Sequence, residues 1–343
     1  MKKLYAWLCL VAVAVLGACS TDVDLYADYK DVPIVYAVLD ATADTNFVKI
    51  TRAMYAPGDA YQAAANPDSS NYPGKLDVRL VEYRNGDSIR EIILDTITIH
   101  NKEQGVFYAP DQKLYFTTEP LNQDSEEVSY TYRLKAVLPG QLLTTEAKIV
   151  GNGDFIVQGS AVNFSKQYIG LRMPFRFRPA VNATIYDVSM TFTFLEQRTP
   201  DDDSVPRSFS WRVGSFKEGF YNFKPEGGTY EFRYAPYDFY ETLEQFIGGD
   251  TCIAGLKRFI SDYPVEVAIT AGGENLRKYL FYNDMSSGFV EGSNEFTVIE
   301  GGYGVFSSRM TVSRSVKLGG ETVPDLVAER KWGFKFIGGE PLE

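Results

Sequence analysis

S-Y-T-Y-R-L-K-A-V, residues Ser129 to Val137, alternates with a period of two. Tyr130, Tyr132, Leu134 and Ala136 fall on one face; Ser129, Thr131, Arg133 and Lys135 fall on the other. Successive side chains of a strand point to opposite faces, so this reads as a strand with one buried and one wet side. Pro139-Gly140 joins it to L-L-T-T-E-A-K-I-V, Leu142 to Val150. Pro presets φ and Gly accepts φ > 0, which suits a type II turn. The alternation returns in Y-D-V-S-M-T-F-T-F from Tyr186, S-F-S-W-R-V from Ser208, T-Y-E-F-R-Y from Thr229 and V-E-V-A-I-T from Val265. R-M-T-V-S-R-S-V from Arg309 follows it with one lapse, at Arg314. Asn85-Gly86, between V-R-L-V-E-Y and S-I-R-E-I-I-L, takes the positive φ angles of a type I′ hairpin. Many short strands with hairpin turns predict an all-β chain. The expectation is two antiparallel β-sandwich domains, Ig-like or jelly-roll-like, with one or two short helices in the second.

The helices are expected late in the chain. Pro236 suits a first helical turn, Phe239, Leu243, Phe246 and Ile247 recur at helical spacing, and Gly248-Gly249 can close the segment. E-N-L-R-K-Y-L-F-Y, after Gly272-Gly273, reads as helix or strand, and Pro324 to Trp332 as a short helix. Gly151-Asn152-Gly153-Asp154 follows one run of strands and precedes another. The expected division is a signal peptide over 1–18, a tether over 19–27, an N-terminal β-sandwich domain over 28–150, a C-terminal β-rich domain over 155–317 and a tail over 318–343 that packs back. One fused two-sheet body is the alternative.

The first residues carry an address. Lys2 and Lys3 precede an uncharged apolar run from Leu4 to Val15. That is shorter than the ~20 apolar residues a membrane span needs, and it suits the apolar region of a secretory signal. Leu16-Gly17-Ala18-Cys19 resembles the lipobox of bacterial lipoproteins, in which small residues admit the peptidase and the cysteine thiol takes a diacylglyceryl group. The resemblance implies cleavage before Cys19 and lipid attachment there. An ordinary secretory signal, with Cys19 a bystander, is the alternative. Ser20 rather than Asp after the cysteine favours, by resemblance to Gram-negative sorting, the outer membrane over the inner. Asp22 and Asp24 resemble acidic export signals that Bacteroidota use to send lipoproteins to the cell surface; a solvated tether is the plainer reading.

Composition narrows the partners. Lys and Arg number 34 against 45 Asp and Glu, a formal net charge of −11. An acidic body repels phosphate backbones, so nucleic acid is not an expected partner, and it is repelled from anionic lipid as well. The three cysteines are Cys9 in the signal, Cys19 at the lipid site and Cys252, so no internal disulfide is expected. The fold must then rest on its core, and a chain that is 45% apolar, with 23 Tyr and 23 Phe, can supply one.

Catalytic sets are thin. The one histidine, His100, ends I-L-D-T-I-T-I-H on the polar face with Thr96 and Thr98. No G-x-S-x-G elbow occurs, and a zinc site would need partners that a single histidine lacks. Cys252, in G-G-D-T-C-I-A-G, has no base or cation assigned to it and reads as a small buried residue. Asp201, Asp202 and Asp203 are adjacent rather than spaced as a calcium loop requires, so they read as a solvated turn. The Gly-Gly pairs, Gly272-Gly273 among them, match no phosphate-binding pattern and read as turns. A carboxylate pair could serve a glycosidase, but that chemistry is defined by separation in space. No catalytic residue, metal or cofactor is implied. Tyr237 and Tyr240 fall off the apolar stripe of their helix and are the ligand-binding candidates, since a tyrosine can stack on a sugar or grip a peptide. Rim packing between sheet and helix is the plainer role.

D-Y-K-D-V-P-I-V-Y-A-V-L-D-A-T-A-D-T-N-F-V-K-I-T-R-A-M, Asp28 to Met54, and G-Y-G-V-F-S-S-R, Gly302 to Arg309, resemble a family of Bacteroidota outer-membrane lipoproteins, β-rich domains of unknown function often met near outer-membrane transport genes. The resemblance implies a β-rich outer-membrane lipoprotein and carries no catalytic residue across. Together these readings predict a non-enzymatic protein held to the outer membrane by an N-terminal lipid, surface-exposed or periplasm-facing. It would bind a protein partner, such as an outer-membrane transporter, or a nutrient ligand as an accessory of an envelope or import complex. A structural or adhesive surface component and a carboxylate-based hydrolase are the alternatives.

Overall fold

The computed structural model describes residues 31–54, 59–109, 111–124, 128–151, 155–217, 228–248, 255–283 and 297–336. The first half contains β1 (Pro33–Leu39), β2 (Asn46–Arg52), β3 (Asp77–Arg84), β4 (Asp87–Ile93), β5 (Asp95–Ile99), β6 (Gln112–Thr117), β7 (Tyr130–Leu138) and β8 (Gln141–Lys148). The second contains β9 (Ile156–Gln158), β10 (Ala161–Val162), β11 (Met173–Arg178), β12 (Ala183–Gln197), β13 (Val205–Lys217) and β14 (Tyr230–Tyr234). It continues with β15 (Lys257–Ile260), β16 (Val265–Gly273), β17 (Tyr303–Leu318) and β18 (Phe334–Phe336). The helices are α1 (Ala60–Ala65), α2 (Pro236–Ile247), α3 (Glu274–Tyr282) and α4 (Thr322–Ala328).

The alternation does what its period requires. On β7, Tyr132, Leu134 and Ala136 are buried; on β12, Tyr186, Val188, Met190, Phe192 and Phe194 are buried. The two turns form as read. Tyr83 pairs with Ser88 and Arg84 with Asp87, and the two loop residues, Asn85 at φ 50° and Gly86 at φ 97°, take the positive φ of a type I′ turn. Leu138 pairs with Gln141 across Pro139-Gly140, with Gly140 at φ 79°. The all-β sandwich class holds.

The strands form an 11-stranded sheet, whose main path is β18-β15-β12-β16-β17-β1-β2-β6-β5, a 4-stranded sheet, β4-β3-β7-β8, and a 3-stranded sheet, β14-β11-β9. The first core lies between the 4-stranded sheet and β1, β2 and β6. It is mostly aliphatic, built from Val35, Leu39, Ile50, Leu80, Leu134 and Leu143 with Tyr115 and Tyr132. The second lies between β12, β13, β16 and the end of β17 on one side and the 3-stranded sheet with α2 on the other. It is aromatic: Phe239 stacks on Phe164 at 4.4 Å and meets Phe192, Phe209 and Trp211 edge-on or tilted.

Three features correct the sequence reading. The pairing is not wholly antiparallel, since β1 pairs in parallel with β17, from Ile34 opposite Tyr303 to Leu39 opposite Ser308. The two sandwiches therefore share one sheet. Residues 303–308, assigned by sequence to the second domain, complete the first: Phe306 lies in the first core, and Met310 and Val316 lie in the second. Gly304 makes that approach possible. It sits at φ 110°, and a Cβ there would lie 2.0 Å from the Val35 carbonyl oxygen. The first half also has a helix of its own, α1, capped by Asp59, whose carboxylate accepts from the Tyr61 and Gln62 N–H groups. The E-N-L-R-K-Y-L-F-Y segment is the helix α3. The tail packs back through α4 and β18, which pairs in parallel with β15. Of the proposed boundary, 152–154 lie outside the described residues.

Candidate functional site

Where β17 crosses from one core to the other, two buried serines replace apolar residues. The Ser308 hydroxyl donates to the Lys148 carbonyl at 2.7 Å, and Ser307 Oγ accepts the Leu276 N–H at 3.1 Å. The second bond satisfies one of the N–H groups that a helix start leaves unpaired. Gly273, the N-cap of α3, lets the helix seat there: a Cβ would lie 3.2 Å from Ser307 Oγ and 3.4 Å from Val150.

A cleft of about 450 Å³ opens at this crossing. Its walls are Thr131 of β7, Glu146 to Lys148 of β8, Asn182 to Thr184 at the start of β12, Gly273 to Asn275 at the start of α3, and Ser307. Two asparagines knit the walls together. Asn182, in the left-handed region at φ 60°, donates from Nδ2 to the Asp124 carboxylate and the Ile149 carbonyl, both at 2.7 Å. Asn275 Nδ2 donates to the carbonyls of Phe306 at 3.0 Å and Glu146 at 3.2 Å. The Thr184 hydroxyl in the same wall is buried and has no hydrogen-bond partner.

The charges in the cleft are mixed. Glu146 is paired with Arg133 at 2.9 Å and Glu274 with Lys278 at 2.7 Å. Hydrogen bonding to Lys278, with the charges of Arg277 and Lys148 adding to it, holds the Glu274 carboxyl below its ordinary value. It is therefore ionised at neutral pH and has no proton to donate. Lys148 brings a cation, and the start of α3 brings the positive end of a helix dipole. Such walls suit a small polar group or a polar loop held by hydrogen bonds. No aromatic side chain lines the cleft, so neither Tyr237 nor Tyr240 contributes to it.

The sequence-derived candidates are scattered. Leu16, Gly17, Ala18, Cys19 and Cys252 lie outside the described residues. Tyr237 is exposed on α2. Tyr240 is a correction: it is 7% exposed, its ring stacked on Trp332 at 5.9 Å, so it packs in the second core rather than facing a ligand. Pro236, Tyr240, Leu243 and Ile247 form one helical stripe, a spacing present in the sequence but overlooked beside Phe239. His100 is exposed as read, and its Nδ1 lies 2.6 Å from Asp111 Oδ1. Asp201 to Asp203 form an exposed turn after β12, where Asp202 accepts the Thr199 N–H. Among the described residues no three His, Cys, Asp or Glu side chains gather to hold a metal ion. None of their helices is long and apolar enough to cross a membrane. Gly272-Gly273 is no turn: it ends β16 and leads directly into α3. A strand that runs into a helix through Gly-Gly was the one sequence signal for the cleft.

No model of a known protein family matches the chain, and no curated protein matches it.

Proposed function

We propose that the protein is an outer-membrane lipoprotein, anchored through Cys19, that works without catalysis as an accessory binding module of an envelope or import complex. The observation that carries the binding role is the polar cleft between the two sandwiches, with Lys148, Asn275 and the Thr184 hydroxyl in its walls. Its two carboxylates, Glu146 and Glu274, meet the requirement for acids in one cleft, but each already has a cation, which supports binding over acid catalysis. The cleft would take a polar loop of a partner or a small polar nutrient. No cofactor is required, and the acidic surface argues against nucleic acid. A second reading, a subunit of a surface assembly, is favoured by β13: this 13-residue strand pairs with β12 on one side and with no other described strand.

The test is a tagged chain extracted from native outer membranes in mild detergent, with its companions identified by mass spectrometry. Cys19→Ala and Asn275→Lys serve as variants. A stoichiometric outer-membrane protein that is lost with both variants supports the proposal. Membrane retention of Cys19→Ala, or a companion indifferent to the cleft, overturns it.

A further inference from the structure

The two ends of the shared sheet differ in character, and the chain enters the fold at one of them. Asp31 lies where β1 begins: its carbonyl accepts from Gln141 Nε2 at 3.4 Å, and its carboxylate accepts from the Tyr72 hydroxyl at 3.2 Å. The Pro139-Gly140 hairpin and the Gly301-Gly302 turn meet at the same end, with the backbone at Gly302 against Pro33. Large apolar side chains flank it on both outer faces of the first sandwich. Val137 and Leu142 are cross-strand partners on the 4-stranded sheet and are 53% and 60% exposed. Ile93 stands on the same face, one row further along, and Tyr303 stands on the opposite sheet beside Ile34.

The far end is different. Val316 of β17 pairs with Val265, and Val265 pairs with Phe192. β12 runs five residues further, to Gln197, so the turn beyond it lies some eighteen strand residues from Tyr303, roughly 60 Å at about 3.3 Å per residue. That turn carries Asp201, Asp202 and Asp203, all exposed. The first end carries exposed apolar side chains among paired or hydrogen-bonded charges, with Asp77 beside Val137 held by Arg79 and Glu300 in the Gly301-Gly302 turn bonded to the Thr144 hydroxyl; the other carries a triple carboxylate that anionic headgroups repel.

Asp31 is twelve positions after Cys19, so an extended chain holds it within roughly 40 Å of an acyl anchor. We propose that the end where Asp31 enters is seated on the lipid surface, with Val137, Leu142 and Tyr303 among the headgroups and the Asp201–Asp203 turn pointing away from the membrane. The inference rests on acylation at Cys19. Leucine and valine gain by leaving water, and a tyrosine has an apolar ring and a polar tip suited to the interface. The contact is apolar rather than basic, so it withstands salt. It stands the molecule upright, with the first sandwich next to the lipid and the cleft above it.

The test uses the full mature acylated chain in vesicles of phosphatidylethanolamine and phosphatidylglycerol. An environment-sensitive fluorophore is placed at Leu142→Cys, Tyr303→Cys or Asp202→Cys in a Cys252→Ser background, with quencher-bearing headgroups in the vesicles. Labels at 142 and 303 are expected to shift to the blue and lose most of their fluorescence in low and high salt alike, while the label at 202 keeps its own. An acylated chain whose labels at 142 and 303 are quenched no more than the one at 202 overturns the seating alone. A mature N-terminus without a diacylglyceryl group overturns the anchor reading and the seating with it. Quenching that vanishes in salt also overturns it, because an apolar contact would persist.

Discussion

Glu82 in the first sandwich and Glu196 in the second are both buried acids on long strands, and their partners differ. Glu82 accepts from Asn122 Nδ2 and, at 2.7 Å, from Arg90 Nε on the edge strand β4, whose side chain still reaches water. Glu196 meets three guanidinium groups: Arg258 and Arg207, each at 3.0 Å, and Arg198 at 3.5 Å. Arg258 is 0% exposed; its Nη1 donates to the Trp332 carbonyl at 2.7 Å, and its Nη2 has no partner. The first pair is half wet, and its cation can turn back to solvent. The Glu196–Arg258 pair is dry, while Arg207 and Arg198 reach water, and the Arg258 guanidinium also ties the tail to β15. A buried charge is costly in proportion to how little water can replace a lost partner, so two similar glutamates should respond differently to the same change.

The largest effect should fall on the aromatic core itself. Phe239→Ala removes a ring that touches Phe164, Phe192, Phe209 and Trp211, and should cost about 4–5 kcal/mol in urea unfolding. If it costs less than Leu134→Ala in the aliphatic core, the contrast between the cores is misplaced. Glu196→Gln keeps the shape but leaves Arg258 dry without its counter-charge, and about 3–4 kcal/mol should be lost. Glu82→Gln should lose only about 1–2 kcal/mol, because Arg90 retains Glu119 at 3.3 Å and the Pro120 carbonyl at 2.8 Å. Equal costs for the two glutamates would erase the distinction between wet and dry pairs.

Alkaline pH should weaken both cores gently. Burial pushes the Tyr234 hydroxyl up from 10.0 to about 12. Burial also raises Tyr132, with the charge of Glu82 adding to it, and raises Tyr240, with Asp325 and Glu329 adding to it. In the unfolded chain these phenols lose their protons near 10, while the folded chain keeps them. The stability they contribute is therefore complete below about pH 10 and declines as pH rises toward the folded values. Phenolate absorbance should show late-titrating tyrosines, one fewer in Tyr234→Phe.

Much of the fold was legible in local sequence. The alternation of β7, β12 and β16 marked its buried faces, and Asn85-Gly86 and Pro139-Gly140 marked their turns. The stripe of α2 was read apart from Tyr240, which joins it through Pro236, Leu243 and Ile247. The cleft was not legible. Asn182, Asn275 and Ser307 stand on three distant elements, and each looks like an ordinary polar residue in its own segment. The Asp201–Asp203 turn was found but acquired meaning only from its place opposite Asp31.

Period-two alternation and turn dihedrals are properties of a few neighbouring residues, so strand faces, hairpins and the all-β class could be read from the chain alone. Which strands meet is a property of faces and edges brought together from far apart. The parallel pairing of β1 with β17 joins residues on opposite sides of the sequence and leaves no periodic trace. Only packing made that choice: Gly304 admits the Val35 backbone, Phe306 fills the first core, and Met310 and Val316 fill the second. With it came the shared sheet, the cleft at the crossing and the place of the Asp201–Asp203 turn at the end of the sheet far from Asp31.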